Sequence, residues 1–122
     1  MKTLLVLVLV IGAAFTTLAA SASASPSAAP PVLKGSVGPG FTISLKKGGK
    51  AVKTLKAGAY KLVVADKASI HNFELEGPGV KKVETDVSAT GTKTFTVKLK
   101  KGTYTFYCKP HESSMHGTFT VK

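Results

Sequence analysis

The sequence predicts an all-β fold, and three features support this class. From Phe41 onward, apolar and polar residues alternate with a period of two, which is typical of strands with one buried face. Turns that contain glycine separate the alternating runs, and no window has the apolar spacing of an amphipathic helix. We therefore expect an antiparallel β-sandwich in which each sheet buries one face.

The candidate strands follow from this alternation in chain order. The turn Lys100-Lys101-Gly102 predicts a hairpin, and Gly77-Pro78-Gly79 ends an earlier strand. Residues 77–91 form the longest irregular connection, in which we expect a short helical or edge segment. The apolar positions of the strands are Phe41, Ile43, Leu45, Val52, Leu55, Tyr60, Leu62, Val64, residues 70–75, Phe95, Val97, Leu99, Tyr104, Phe106, Cys108, Phe119 and Val121.

Length and composition limit the chain to one small domain. It has 122 residues, with 17 basic residues that are all lysine, six acidic residues and a formal net charge of +11. Hydrophobic residues make up 43% and charged residues 19%, which excludes a disordered polyelectrolyte and a membrane bundle. The single cysteine excludes an intramolecular disulfide and metal clusters held only by thiolates.

The N-terminus has the features of a secretory signal peptide. Lys2 precedes the apolar run 4–11, and the small residues up to Ala24 include A-x-A cleavage motifs. The apolar run is shorter than the roughly 20 residues of a membrane-spanning helix, so we expect cleavage, with an uncleaved anchor as the alternative. Export would place the protein in the periplasm, outside the cell or at the cell envelope.

The chain accordingly divides into three parts. Residues 1–24 are the predicted signal peptide, and residues 25–33 form a tether of small residues and proline that offers little to a core. Residues 34–122 form the predicted domain, which is long enough for one sandwich.

Strand parity directs a histidine, a cysteine and a methionine toward the core. Side chains two residues apart in a strand lie on the same face of the sheet. By that rule the inward sets are His71 with Phe73 and Leu75, Cys108 with Tyr104 and Phe106, and Met115 with Phe119 and Val121, and the outward residues are Asn72, Glu74 and His116.

The motif Cys108-x-x-His111-x-x-x-Met115 places a thiolate, an imidazole and a thioether within eight residues. His71, on another strand, supplies a second imidazole if the sheets pack face to face. Two histidines, one cysteine and a weak axial methionine form the ligand set of blue copper. Each residue alone has an ordinary structural explanation, but together they predict one copper site.

These motifs resemble those of the cupredoxins. The segment YTFYCKPHESSMHGTFTV from Tyr104 to Val121 is similar to the copper loop of plastocyanin, pseudoazurin and amicyanin, and the segment IHNF at 70–73 is similar to their upstream ligand segment. The resemblance implies a Greek-key sandwich of about eight strands with one type 1 copper. The ligands that it implies are His71, Cys108 and His111 in the equatorial plane and Met115 as the axial ligand.

The resemblance also implies roles for residues around the metal. The backbone N–H of Asn72 would donate to the sulfur of Cys108, and its side chain would brace the adjacent loop. Plastocyanin's spacing would place the axial ligand at His116, but the Met-x-Gly pattern and the inward parity favour Met115. Glu112 follows His111 directly, and a carboxylate near the metal would stabilise Cu(II) and lower the reduction potential.

The ligand set predicts an electron carrier and not an enzyme. Four protein ligands leave no position for a substrate, and the sequence has no set of residues for another chemistry. We expect single electrons to pass between redox proteins through the edge of His111, inside a collar from the turns 37–39 and 78–79. Copper delivery or buffering, and a metal-free interaction module, are the alternatives.

The lysines bear on the choice of partner. On turns and outer faces they keep a sheet protein soluble and protect its edges. The functional interpretation is electrostatic steering toward an acidic redox partner or an anionic envelope surface. Nucleic acid is not expected as a partner, because arginine and base-stacking motifs are absent and the chain is predicted to be exported. We expect a monomer without stable membrane insertion after cleavage.

Overall fold

The computed structural model describes residues 12–14, 19–80 and 82–122, and in these residues it contains ten strands and one short 3₁₀ helix, Lys109–His111. The all-β class is confirmed. The strands are β1 (Val32–Val37), β2 (Ile43–Lys47), β3 (Lys50–Ala51), β4 (Thr54–Leu55), β5 (Gly58–Asp66), β6 (Glu74–Glu76), β7 (Val83–Glu84), β8 (Gly91–Leu99), β9 (Gly102–Tyr107) and β10 (His116–Val121).

The strands form two five-stranded sheets, with the orders β3-β2-β1-β5-β8 and β4-β10-β9-β6-β7. The chain passes from one sheet to the other after β3, β4, β5, β7 and β8, and such repeated crossings are expected of a Greek-key sandwich. The strand count exceeds the expected one because β3, β4 and β7 are two-residue edge strands, too short to produce a period-two pattern.

The prediction of a purely antiparallel sandwich is wrong in two places. β1 pairs with β5 in parallel, and β10 pairs with β4 in the same way. Parallel neighbours require a crossover connection, and both of these pairs join strands that are distant in the chain. Local alternation cannot distinguish this arrangement from a succession of hairpins.

The core lies between the sheets, and the alternation locates most of it correctly. Aromatic rings interlock there: Phe73 stacks on Phe106 with ring centroids 5.9 Å apart, and Tyr104 stacks on Phe119 at 5.2 Å. Gly35 in β1 lies against the Phe73 ring, since a Cβ at this position would be 3.0 Å from Phe73 Cε2. The two sheets therefore pack closely beneath the segment that carries His71.

The sandwich has two ends. We call the end where β1, β5 and β9 finish the upper end; it holds the connections 38–42, 67–73 and 108–115. The lower end holds the turns 48–49 and 100–101. β5 runs from the lower to the upper end over nine residues, or about 30 Å at roughly 3.3 Å per residue.

The segment 70–75 differs from its prediction. Only the part from Glu74 onward is a strand, and residues 70–73 are irregular. Asn72 and Glu74 are buried, so the prediction that they face outward is wrong. Period-two parity does not apply before β6 begins, and Glu74 is covered because β6 lies between β9 and the edge strand β7.

The N-terminal part has little regular structure. Residues 19–31 are exposed and have no regular secondary structure, and β1 begins at Val32, two residues before the predicted domain boundary. Much of the predicted signal peptide, in 1–11 and 15–18, lies outside the described residues. Within the described part of the chain, no helix is both long and apolar enough to cross a membrane.

Candidate metal centre

His71, Cys108 and His111 bring three metal-binding atoms together at the upper end. The Nδ1 atoms of the two histidines are 3.1 Å apart, and Cys108 Sγ lies 3.8 Å from His71 Nδ1 and 3.7 Å from His111 Nδ1. At ordinary metal–nitrogen and metal–sulfur lengths of about 2.1 and 2.3 Å, one ion spans N–N distances up to about 4.2 Å and S–N distances up to about 4.4 Å. A single ion can therefore contact all three atoms.

Packing on one edge of its ring orients His71. Gly38 has φ of +73°, and a Cβ there would lie 3.2 Å from His71 Cδ2 and 3.1 Å from Ala68 Cβ. The other ring nitrogen, Nε2, is buried and has no hydrogen-bond partner among the described residues. Metal-binding histidines usually donate this second N–H to an acceptor. For His71 the orientation comes from the backbone of Gly38, which lies close to Cδ2, and from the bond of its own N–H to the Ala68 carbonyl at 3.4 Å.

The loop after β9 supplies the other donors. Cys108 is fully buried, and the 3₁₀ helix after it closes with a bond from His111 N–H to the Cys108 carbonyl, 3.1 Å. Met115 is also fully buried. Its N–H donates to the His111 carbonyl at 2.8 Å, and its own carbonyl accepts from Cys108 N–H at 3.0 Å. The backbone thus ties Met115 to both donor residues of the loop.

His116 lies apart from the cluster. It is exposed at the start of β10, and its Nδ1 lies 2.8 Å from the Glu112 carbonyl, so one ring nitrogen is engaged within the loop. The Glu112 side chain is exposed as well, and among the described residues its carboxylate has no hydrogen bond or ion pair.

Asn72 connects the His71 segment to the Cys108 loop. Its backbone N–H donates to Cys108 Sγ at 3.4 Å, and its side-chain Oδ1 accepts from Lys109 N–H at 2.7 Å. These are the contacts that the resemblance implies. The Asn72 Nδ2 also donates to the Thr85 carbonyl at 3.4 Å. One buried side chain therefore holds three segments of the chain around the sulfur.

Thr85 and Asp66 extend this network, and the sequence analysis missed both. The Thr85 hydroxyl accepts from Phe73 N–H at 2.8 Å and donates to Asp66 Oδ2 at 3.4 Å, while Asp66 Oδ1 accepts from Ala68 N–H at 3.2 Å. Burial raises the pKa of Asp66, and its bonds to Ala68 and Thr85 oppose that rise. The only local signal was a carboxylate at the end of an apolar strand.

The alternation pattern also misplaced Phe41. It lies in the connection 38–42 and not in β2, and its side chain is 61% exposed. Its ring meets the His71 and His111 rings edge to face, with centroids 5.2 and 4.9 Å away. Phe41 therefore covers the two histidines from the solvent side.

The expected collar is only partly present. Gly38 lies at the upper end beside His71, but Gly79 packs against Lys100, and Pro78 against Gly102. These contacts are at the lower end, so the turn 78–79 does not surround His111. Local alternation does not show at which end of the sandwich this turn lies relative to His111.

Comparison with curated proteins gave no match to this sequence. Among solved structures, reduced rusticyanin is 23% identical with a TM-score of 0.53, and covers 75% of this chain and 78% of that one. A structure of the copper protein rusticyanin is 20% identical with a TM-score of 0.55, and the match covers 75% of this chain and 76% of that one. Rusticyanin from Thiobacillus ferrooxidans is 25% identical with a TM-score of 0.52, again covering 75% and 76%.

The family comparison agrees with this likeness and with the donor set. Two imidazoles and a thiolate, with Met115 buried beside them, are consistent with one copper ion. Residues 7–121 match the family described as the cupredoxin-like domain. This protein belongs to the cupredoxin-like domain family.

Proposed function

We propose that this protein is a blue copper electron carrier, which binds one type 1 copper and passes single electrons between redox proteins. The observation that carries the proposal is the convergence of His71 Nδ1, His111 Nδ1 and Cys108 Sγ within 3.1–3.8 Å of one another. Copper bound there would supply a one-electron couple between Cu(II) and Cu(I).

The ligand assignment follows from these donors. His71, Cys108 and His111 would hold the copper, with Met115 as a weaker fourth ligand. Burial and the backbone bonds to Cys108 and His111 support Met115, whereas the exposure of His116 argues against it as the ligand.

The protein's own contribution is a rigid donor set from which water is excluded. The loop bonds around Met115 and the Asn72 contacts hold each donor from more than one direction. Donors that cannot move favour electron transfer, because little rearrangement accompanies a change of charge. Four protein ligands also leave no open position for a substrate, which supports a carrier over an enzyme.

Electrons would enter and leave at the upper end. His111 is half-buried, while His71 and Cys108 are fully buried, so His111 is the donor residue nearest to solvent. Phe41 and Ile70 are large apolar side chains that are exposed at this end. They offer a surface on which a redox partner can approach without desolvating charge.

Voltammetry of the copper-loaded protein separates electron transfer from copper delivery. We expect a reversible one-electron couple, with Cu(I) retained when a competing chelator is present. Rapid loss of Cu(I) to the chelator would favour the delivery or buffering function instead.

The N-terminal features support export of the protein to the periplasm, the cell envelope or the extracellular space. The predicted signal peptide would be removed after Ala24, leaving a mature chain that starts at Ser25 and has no stable membrane insertion. The mass of the protein recovered from the envelope fraction tests this proposal, and an intact N-terminus would favour an uncleaved anchor.

A further inference from the structure

The lysines are concentrated at the lower end of the sandwich. Strand register places nine of them there: they lie at the lower ends of β2, β8 and β10, on β3, beside β4 and in the turn between β8 and β9. All nine are exposed. We call this set the lysine end, and it consists of Lys46, Lys47, Lys50, Lys53, Lys56, Lys98, Lys100, Lys101 and Lys122.

In the described part of the chain, no acidic side chain forms an ion pair with the lysine end. Lys82 does pair with Glu84, but both residues lie outside this set. The carboxylates are instead at the upper end or on the flank formed by β6 and β7. They are Asp66, Glu74, Glu76, Glu84, Asp86 and Glu112.

The position of this charge argues against a direct role in electron transfer. A partner held by the lysine end would be separated from Cys108 by the length of the sandwich, about 30 Å. Electron tunnelling falls steeply with distance, so a redox partner gains little by docking there. The exposed apolar residues Phe41 and Ile70, in contrast, lie at the upper end beside the donor cluster.

The N-terminal tether joins the domain at the lysine end. β1 begins at its lower end with Val32, and the Pro31 carbonyl accepts a hydrogen bond from Lys61 N–H at 2.9 Å. Pro31 also lines a shallow groove together with Lys47, Lys50 and Lys53. The exposed residues 19–31 therefore lead away from the domain at this end.

We propose that the lysine end binds the anionic headgroup surface of a lipid bilayer and holds the donor cluster on the side facing away from it. Lysines on turns can contact headgroup phosphates without inserting apolar groups into the membrane. Each lysine close to an anionic surface strengthens binding roughly fivefold. With the lysine end on the bilayer, Phe41 and His111 remain available to partners in solution.

The test is sedimentation with vesicles of equal parts phosphatidylglycerol and phosphatidylcholine, compared with pure phosphatidylcholine. The chain from Ser25 onward is suitable, with or without copper, because every strand of the described residues lies within 32–122. The test variant replaces three lysines of the lysine end, and the control removes the same charge from exposed lysines elsewhere. The test variant is Lys50→Gln/Lys53→Gln/Lys56→Gln, and the control is Lys67→Gln/Lys82→Gln/Lys93→Gln.

We expect the parent chain to bind the anionic vesicles alone, and roughly 0.5 M salt to release it because screening is then strong. The lysine-end variant should bind at least tenfold more weakly, and the control within about threefold of the parent chain. Equal losses of vesicle binding in the two variants would show that binding depends only on the net charge of the protein, and this would overturn the proposal. Absence of binding to anionic vesicles at roughly 0.1 M salt would also overturn it.

A second measurement tests the orientation. Uncharged hydroquinone should reduce the vesicle-bound and the free copper protein at rates within about twofold of each other. A tenfold slower reduction on vesicles would place the donor cluster against the bilayer and contradict the orientation. This measurement depends on the proposed copper site, whereas sedimentation does not, so the two proposals can fail separately.

Discussion

The backbone N–H of Asn72 points at the sulfur of Cys108 from 3.4 Å. The side chain of Asn72 then accepts from the backbone N–H of the residue after Cys108, Lys109, at 2.7 Å. The same residue therefore orients the sulfur and fixes the backbone that carries it. Since these bonds join separate parts of the chain, they couple the stability of the fold to the geometry of the donors.

Asn72→Ala should lower the free energy of unfolding of the copper-free protein by about 1–3 kcal/mol, because Lys109 N–H loses its buried acceptor. The visible band of the copper protein should persist, since alanine retains the backbone N–H that faces the sulfur. Urea unfolding and absorption spectra test the two parts. Unchanged stability would contradict the bracing role of the side chain.

Gly38→Ala should destabilise the protein and disturb His71. The left-handed φ of +73° costs an alanine about 1–2 kcal/mol, and the new Cβ would press on His71 Cδ2. Gly40→Ala is the matched control, because a Cβ there meets nothing within 4 Å. Urea unfolding and the rate of copper loss to a chelator should separate the two variants, and equal behaviour would refute the packing role of Gly38.

Phe41→Ala should lower the reduction potential with little effect on stability. The side chain is largely exposed, so its loss costs little burial, but water gains access to the rings of His71 and His111. Water favours the more highly charged oxidised site, and we expect a fall on the order of 50 mV. Val32→Ala, at the lower end, should leave the potential unchanged. A Phe41→Ala potential equal to that of the parent protein would show that the ring does not shield the site.

Glu112→Gln should raise the reduction potential, since it removes a negative charge near His111 that favours Cu(II). The carboxylate is exposed to water, and the rise should be only roughly 20 mV. Glu112→Asp retains the charge and should show a smaller shift. Voltammetry at low ionic strength gives the comparison, and a fall in Glu112→Gln would reverse the assumed sign of the interaction.

Strand alternation anticipated the burial of His71, Cys108 and Met115, because two of them adjoin strands with a clear apolar face. The prediction that His71 is buried assumed a strand over residues 70–75, but residues 70–73 are not a strand. The same pattern misplaced Asn72 and Phe41. Both lie in connections whose environment is set by contacts with residues far away in the chain.

The hydrogen bonds of Asp66 and Thr85 show the same limit of prediction from strand periodicity. Asp66 and Thr85 meet only because the ends of β5 and β7 adjoin the segment 71–73 in the folded sandwich. Likewise, the sequence shows lysines grouped at 46–56 and at 98–101, and it is the strand register that brings these two groups to the same end. Periodicity predicts which face a residue takes within a strand, but it does not predict which loops and strand ends meet.

The most direct test of the copper assignment is the absorption spectrum during titration of the copper-free protein with Cu(II). Binding of one equivalent should produce an intense visible band from charge transfer between the Cys108 thiolate and copper. Cys108→Ser should abolish the band while Ser88→Ala, a control at an exposed serine outside the donor set, retains it. If Cu(II) binds without an intense visible band, or not at all, the type 1 copper site proposed for His71, Cys108, His111 and Met115 is contradicted.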